Sequence, residues 1–262
     1  VYAWLTGRRT STGEDRLTYA AQTFAIAADA LGADENSAPP AVGRELMLRS
    51  APLRDPGNAL KHTIANTRRG AEWSQAAPPS YGDGALPRAV AVGLVQAGSP
   101  ERAGLAGALD AVTTHAHPIA AGASALLAGI IATQVRRPEA MIPAELIHRL
   151  ASSSSERHVG HRIESVFDGD PEVPVPFTAH ADDALVVALT AMTYDDFRDV
   201  LSAAAAMSGN DRVTLAITGA LYGSVYGNAR IPDRKFDVEG FAAHQTLATT
   251  LTNRATVLRE TR

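Results

Sequence analysis

Alanine carries most of the apolar surface of this chain. Hydrophobic residues fill 45% of the 262 positions, yet aromatics fill only 5%, so any core must be assembled largely from small side chains. Ala has the best intrinsic helix propensity, and small side chains let helix axes approach closely. Alternating runs of Val, Ile and Tyr, the mark of a strand, are nearly absent. The sequence therefore predicts an all-α fold with tight helix–helix contacts, long enough to bury a substantial core as one large domain or two small ones.

Other features narrow the class. The chain has no cysteine, which excludes disulfides, thiolate-bound zinc, iron–sulfur clusters and a thiol nucleophile. A formal charge of −4 and a pI near 6.1 argue against a nucleic-acid surface. Of the 24 basic side chains only Lys61 and Lys235 are lysines, a bias that suggests a GC-rich genome more than a function. No uncharged apolar run reaches the ~18 residues needed to span a bilayer, so no membrane partner is expected. No signal-peptide pattern is visible, and a cytoplasmic location is expected. The chain opens at Val1 rather than Met, so the reading allows for a missing N-terminal segment. The sequence leaves the oligomeric state open.

Helical periodicity and stop signals place most elements. Helices are expected over Leu17–Leu31 with Gly32 as the stop, Val42–Leu48, Ala59–Arg69, Ala85–Ala97, Pro118–Val135, Pro143–Leu150 and Phe241–Arg259. Ser99-Pro100-Glu101 reads as a helix start with Ser as N-cap and Pro at the first position, running to about His115. Asp182-Asp183 reads as the cap of a helix to about Ala191. Thr193 to Asp196 reads as a capping box for a helix ending at Ser208 before Gly209. Val213–Tyr226 is an Ala/Gly-rich helix with Gly219, Gly223 and Gly227 along one face, suited to close backbone approach. Val1–Arg9 is too short to assign, and Phe167–Thr178, with three prolines, is a loop.

Four segments carry a family resemblance, in order along the chain. They are Gly13-Glu14-Asp15-Arg16; Ser80-Tyr81-Gly82-Asp83-Gly84-Ala85-Leu86-Pro87-Arg88; Asp110–Ser124 with Thr114-His115-Ala116-His117-Pro118; and Ala184–Pro232 with Gly209–Gly227 at its centre. Together they resemble the ADP-ribosylglycohydrolase (DraG-like) family. Its corresponding segments are Thr-Asp-Asp-Thr, Ser-x-Gly-Asn-Gly-Ala-x-x-Arg, a Thr-His segment, and Asp-Thr-Asp-Thr leading into an Ala/Gly-rich helix that ends in Tyr-Gly. The resemblance implies a single all-α domain over residues 1–262, an orthogonal helical bundle. It also implies an ADP-ribose cleft holding two Mg²⁺ ions and hydrolysis of a ribosyl bond to a protein side chain or small leaving group. Mg²⁺ wants octahedral oxygen ligands, and two ions organise ribose hydroxyls and an activated water.

The ligand set is eroded here. Thr-Asp-Asp-Thr has become Gly13, Glu14, Asp15 and Arg16, and Asp-Thr-Asp-Thr has become Asn210, Asp211, Arg212 and Val213. No metal is therefore expected; Mg²⁺, if kept in weakened form, would fall to Asp15 and Asp211. One reading puts Arg16 and Arg212 in the places of the two ions, paired with Glu14 and Asp15. The plainer reading leaves both arginines in solvent. The catalytic candidates are Glu14 and Asp15, and the ligand-binding candidates are Ser80, Tyr81, Gly82, Asp83, Gly84, His115, Asn210, Asp211, Arg16 and Arg212. An Asp at position 83, where the family has Asn, adds negative charge that would disfavour a pyrophosphate.

Several alternatives stay open at individual residues. His115 either lies in the cleft against phosphate or ribose, or is a helix C-terminal His favoured by the dipole. His115 and His117 cannot share a helical face, which argues against zinc. Tyr222 and Tyr226 either border an adenine or pack at the rim of the core. For Asp182-Asp183 and Asp195-Asp196, capping explains the paired acids better than acid–base chemistry. Function is likewise expected along two lines. The first is a divergent protein that binds or acts on ADP-ribose, a nucleotide-like ligand or an ADP-ribosylated protein, and cleaves N- or O-ribosyl linkages if active. The second is a catalytically inactive structural or partner-binding protein that keeps only the fold.

Overall fold

The computed structural model describes residues 6–9, 15–17, 19–33, 53, 56–137, 157–227, 230, 231 and 249. The predicted helices Val42–Leu48 and Pro143–Leu150 lie outside these residues, as does Glu14. Of Phe241–Arg259 only Thr249 is described, and it is helical.

The chain enters through a two-stranded antiparallel ribbon, β1 (Thr6–Arg9) and β2 (Asp15–Leu17), that pairs Thr6 with Leu17 and Arg9 with Asp15. Helices follow: α1 (Tyr19–Ala33), α2 (Asn58–Arg68), α3 (Trp73–Ala76), a 3₁₀ turn (Asp83–Ala85), α4 (Leu86–Val95), α5 (Pro100–Val112), α6 (Pro118–Gln134), α7 (Arg157–Phe167), α8 (Ala181–Ala191), α9 (Phe197–Ser208) and α10 (Arg212–Tyr226). The architecture is the all-α bundle that the composition predicts, with the ribbon as its one strand pairing among the described residues.

Helix α6 is the axis. It carries no charged residue, and nearly all of its side chains are buried. A helix apolar all round belongs inside a core, and α6 packs extensively against α5 and α4. Glycine makes those contacts close. A Cβ at Gly93 would stand 2.6 Å from the carbonyl oxygen of Ala128, and one at Gly107 would stand 2.7 Å from that of Ser124. A smaller cluster of Val187, Phe197, Val200, Leu201 and Tyr222 joins α8, α9 and α10. There Tyr222 is buried, and its hydroxyl donates to the Asp195 carbonyl at 3.1 Å. Tyr226 tilts against it, with Arg230 over its ring. Both tyrosines thus pack with the core and its rim.

Local chemistry sets the ends of these elements. Pro100 and Pro118 occupy the first positions of α5 and α6, where a missing N–H costs nothing. Asp196 caps α9 through Arg198 N, and Gly209 ends it in the left-handed conformation at φ 61. Asp211 caps α10, accepting from Thr214 N at 2.7 Å.

Four expectations need correcting. Leu17 belongs to the ribbon, and α1 runs through Gly32 to Ala33, because one glycine costs a helix only about 1 kcal/mol. Thr193 forms no capping box; its hydroxyl turns back to the Thr190 carbonyl. Asp182 and Asp183 lie inside the first turn of α8, not at its cap, and both accept hydrogen bonds from Arg162 of α7. Helix α7 itself goes unpredicted. Its buried residues Val159, Ile163 and Val166 stand at i, i+4 and i+7, a clear helical stripe that the sequence reading passed over.

Candidate functional site

The loop 78–85 is the meeting point of the bundle. The Pro78 carbonyl accepts from Ala116 N (2.9 Å), which ties the loop to the α5–α6 turn. On the other side Tyr81 O accepts from Ala181 N (2.9 Å), and Asp83 N donates to Ala179 O (3.1 Å), so Gly82 bridges to His180. Backbone groups in a loop need partners, and here two other loops supply them. Ala179 holds φ 55, a left-handed backbone that is costly for a residue with a Cβ.

Side chains from four segments surround this loop. Tyr81, 44% exposed, has edge contacts to His117 (5.2 Å) and His180 (4.3 Å). Ser80 Oγ accepts from Gly82 N at 3.3 Å. The Cα of Gly82 faces His115: a Cβ there would be 3.9 Å from the ring atoms Nε2 and Cδ2. Asp83 lies beside Asp211, the cap of α10. Burial first, and then repulsion from Asp211, raise the Asp83 carboxyl well above its ordinary 3.8. One oxygen, Oδ2, is buried without a partner. Burial therefore works against the added charge expected at position 83, and in its neutral form the carboxyl would donate a hydrogen bond much as an Asn amide does.

Beneath the loop is a buried polar chain. Arg88 Nε donates to Asp110 Oδ2 (2.8 Å), Arg88 Nη2 donates to Thr114 Oγ1 (2.7 Å), and Thr114 Oγ1 lies 2.8 Å from His115 Nδ1. Burial and the nearby Arg88 cation lower His115 to about 3. A His favoured as a cation by the helix dipole is thus the wrong picture: α5 ends at Val112, and desolvation outweighs the end of the helix. His117 does the work of a cap, its Nδ1 accepting from Ile119 N at 3.2 Å.

The structure brings together Ser80, Tyr81, Gly82, Asp83, Gly84, His115 and Asp211. Asn210, at φ 66, precedes Asp211 in the α9–α10 turn. Arg212 is the exposed first residue of α10, not a cation held in the interior. Asp15 and Arg16 lie in β2. Sequence reasoning assigned no role to Arg88, Asp110, Thr114 or His180. The available signals were the place of Arg88 at the end of one resemblance segment and of Asp110 and Thr114 in another, and Arg88 as a lone cation in the apolar run Leu86–Val95.

The family resemblance implies a dinuclear Mg²⁺ centre, and the described residues do not fit one. They offer two neighbouring carboxyls, one of them driven toward its neutral form, beside an asparagine and an arginine. Among the described residues no group of three or more His, Asp or Glu could hold a metal ion, whereas Mg²⁺ demands a hard, near-octahedral oxygen set.

The fold and this junction define an all-α helical-bundle protein with a loop at the start of one helix set beside a polar turn at the start of another. The model of the ADP-ribosylglycohydrolase family matches residues 10–260, and the chain belongs to that family. A solved structure described as an "ADP-ribosylglycohydrolase-related protein complex" aligns with a TM-score of 0.73 over 91% of this chain and 82% of that one, at 21% identity. At that identity the likeness establishes the fold alone. Comparison with curated protein sequences gave no match. No helix among the described residues is long and apolar enough to cross a membrane.

Proposed function

We propose that this protein binds, or acts on, an ADP-ribosyl or related ribosyl or nucleotide ligand at the junction around Gly82, without the dinuclear magnesium of its family. The observation that carries the reading is the convergence of the Ser80–Gly84 loop, His115 and the Asn210–Asp211 turn from three distant parts of the chain. The loop leads into the N-terminus of α4, whose helix dipole suits an anion. Tyr81, with His117 and His180 at its edges, offers an exposed ring to a flat base.

Cleavage of an N- or O-ribosyl bond needs a proton donor and a carboxylate to stabilise an oxocarbenium-like state. Asp83 and Asp211 form a neighbouring pair, and burial raises the Asp83 carboxyl, which makes Asp83 the candidate proton donor. They join Glu14 and Asp15 as candidates for this chemistry. A single domain over residues 1–262 and a cytoplasmic setting, with free ADP-ribose or an ADP-ribosylated protein as partner, complete the reading.

The second reading, an inactive protein that binds a partner through its fold, draws support from the exposure of Arg212 and from the altered metal ligands. The test is release of ADP-ribose from proteins carrying N- and O-linked ADP-ribose, in EDTA and in Mg²⁺. The proposal expects any release to be equal in both and to fall in Asp211→Asn. Release only in Mg²⁺ would overturn the metal-free reading. No release, with no ADP-ribose binding, would favour the second.

A further inference from the structure

We infer that Arg88, Asp110 and Thr114 form a positioning relay that fixes His115 in its Nε2–H tautomer, so that the ring presents a hydrogen-bond donor to the junction around Gly82. The argument is a count of donors and acceptors. A guanidinium can only donate, so at 2.7 Å from Arg88 Nη2 the Thr114 oxygen accepts. The Thr114 hydroxyl has one proton to give, and the one acceptor it meets among the described residues is His115 Nδ1 at 2.8 Å. Nδ1 is therefore bare, and the ring proton sits on Nε2.

The other states each cost something. An Nδ1–H ring would point its proton at a hydroxyl that already accepts from Arg88 and strand the Thr114 proton on the closed side of the ring, at about 1–3 kcal/mol for the unmade bond, whereas an Nε2 proton faces the junction, where a ligand oxygen can take it. An imidazolium would add a second buried cation near Arg88, where Asp110 supplies a single carboxylate. The lowered proton affinity of His115 agrees with this. All four side chains are at most 4% exposed, so water does not compete for these bonds.

The relay also touches the loop directly, since Arg88 Nη1 lies 3.5 Å from the Gly84 carbonyl. Asp110 Oδ2 orients the guanidinium through Nε, and Nη2 is thereby aimed at Thr114. On the far side of the ring, Nε2 faces Gly82, and no hydrogen bond joins it to a described residue. The group it would meet is an oxygen acceptor, such as a phosphate or ribose oxygen, which rests on the ligand class proposed above. The tautomer itself does not depend on that class.

The experiment is long-range ¹⁵N–¹H correlation on the ¹⁵N-labelled full chain, with His115 assigned by the signals lost in His115→Gln. The relay predicts a pyrrole-like Nε2 and a pyridine-like Nδ1 for His115 at neutral pH. Thr114→Val should release the tautomer and weaken ADP-ribose binding about tenfold, the scale of one lost hydrogen bond. Thr114→Ser should restore both. A pyrrole-like Nδ1 or a doubly protonated ring in the unaltered protein would overturn the relay, and this readout stands even if Thr114→Val fails to fold. An Nε2–H ring in a protein that does not bind ADP-ribose would uphold the relay and defeat the ligand assignment instead.

Discussion

Asp83 shows how one atom's surroundings reverse a reading made from residue type. Its carboxyl is buried beside Asp211, so the fold favours the protonated form, while the unfolded chain ionises near the ordinary 3.8. Above that pH folding must take up a proton. The native state is favoured below the unfolded value and loses stability as pH rises toward the folded one, by up to about 1.4 kcal/mol per pH unit. Asn keeps the shape and the donor but has no proton to lose. Asp83→Asn should therefore raise the melting temperature at pH 7, with a gain that shrinks toward pH 4; equal melting curves at both pH values would contradict this account. His115 acts with the opposite sign. Lowered to about 3, it favours the native state above its unfolded value near 6.5 and penalises it as pH falls below. None of this is legible from residue type or spacing, because the Asp83–Asp211 and Arg88–Asp110–Thr114 contacts join positions far apart in the chain.

Element by element, the helices that carry their own stop signals were readable. Pro100, Pro118, Gly209 and the turn before Val213 mark ends that the structure keeps within a few residues. The ribbon was not readable, because β1 and β2 are only four and three residues long, whereas α7 carries a Val159–Ile163–Val166 stripe at helical spacing that the reading passed over. Its place is held by that stripe in the core and by the ion cluster of Arg162 with Asp182 and Asp183. Removing one partner of a buried cluster strands the others, at about 3–5 kcal/mol, so Arg162→Met should lower the unfolding free energy by that amount, read as a lower urea midpoint, and an unchanged midpoint would show the cluster to be dispensable. Close packing on α6 gives a test of sign. Helix propensity alone makes Gly107→Ala stabilising by about 1 kcal/mol. The new Cβ, 2.7 Å from the Ser124 carbonyl oxygen and 2.9 Å from the Ala128 Cβ, makes it destabilising by about 1–3 kcal/mol. The backbone oxygen cannot swing aside, so packing should win and the melting temperature should fall.

For the whole molecule, a composition poor in aromatics and rich in alanine led to the right fold class, and four spaced segments led to the family that the chain belongs to. Those segments converge around Gly82, whose Cα faces the His115 ring, and the neighbouring Asp83 carboxyl meets Asp211. The central claim is that this junction takes an ADP-ribosyl ligand without metal. Calorimetric titration of ADP-ribose into the protein in EDTA, repeated in excess Mg²⁺, tests it most directly. Saturable binding of equal affinity in both buffers is the predicted result. Binding that requires Mg²⁺, or no binding in either buffer, would contradict it.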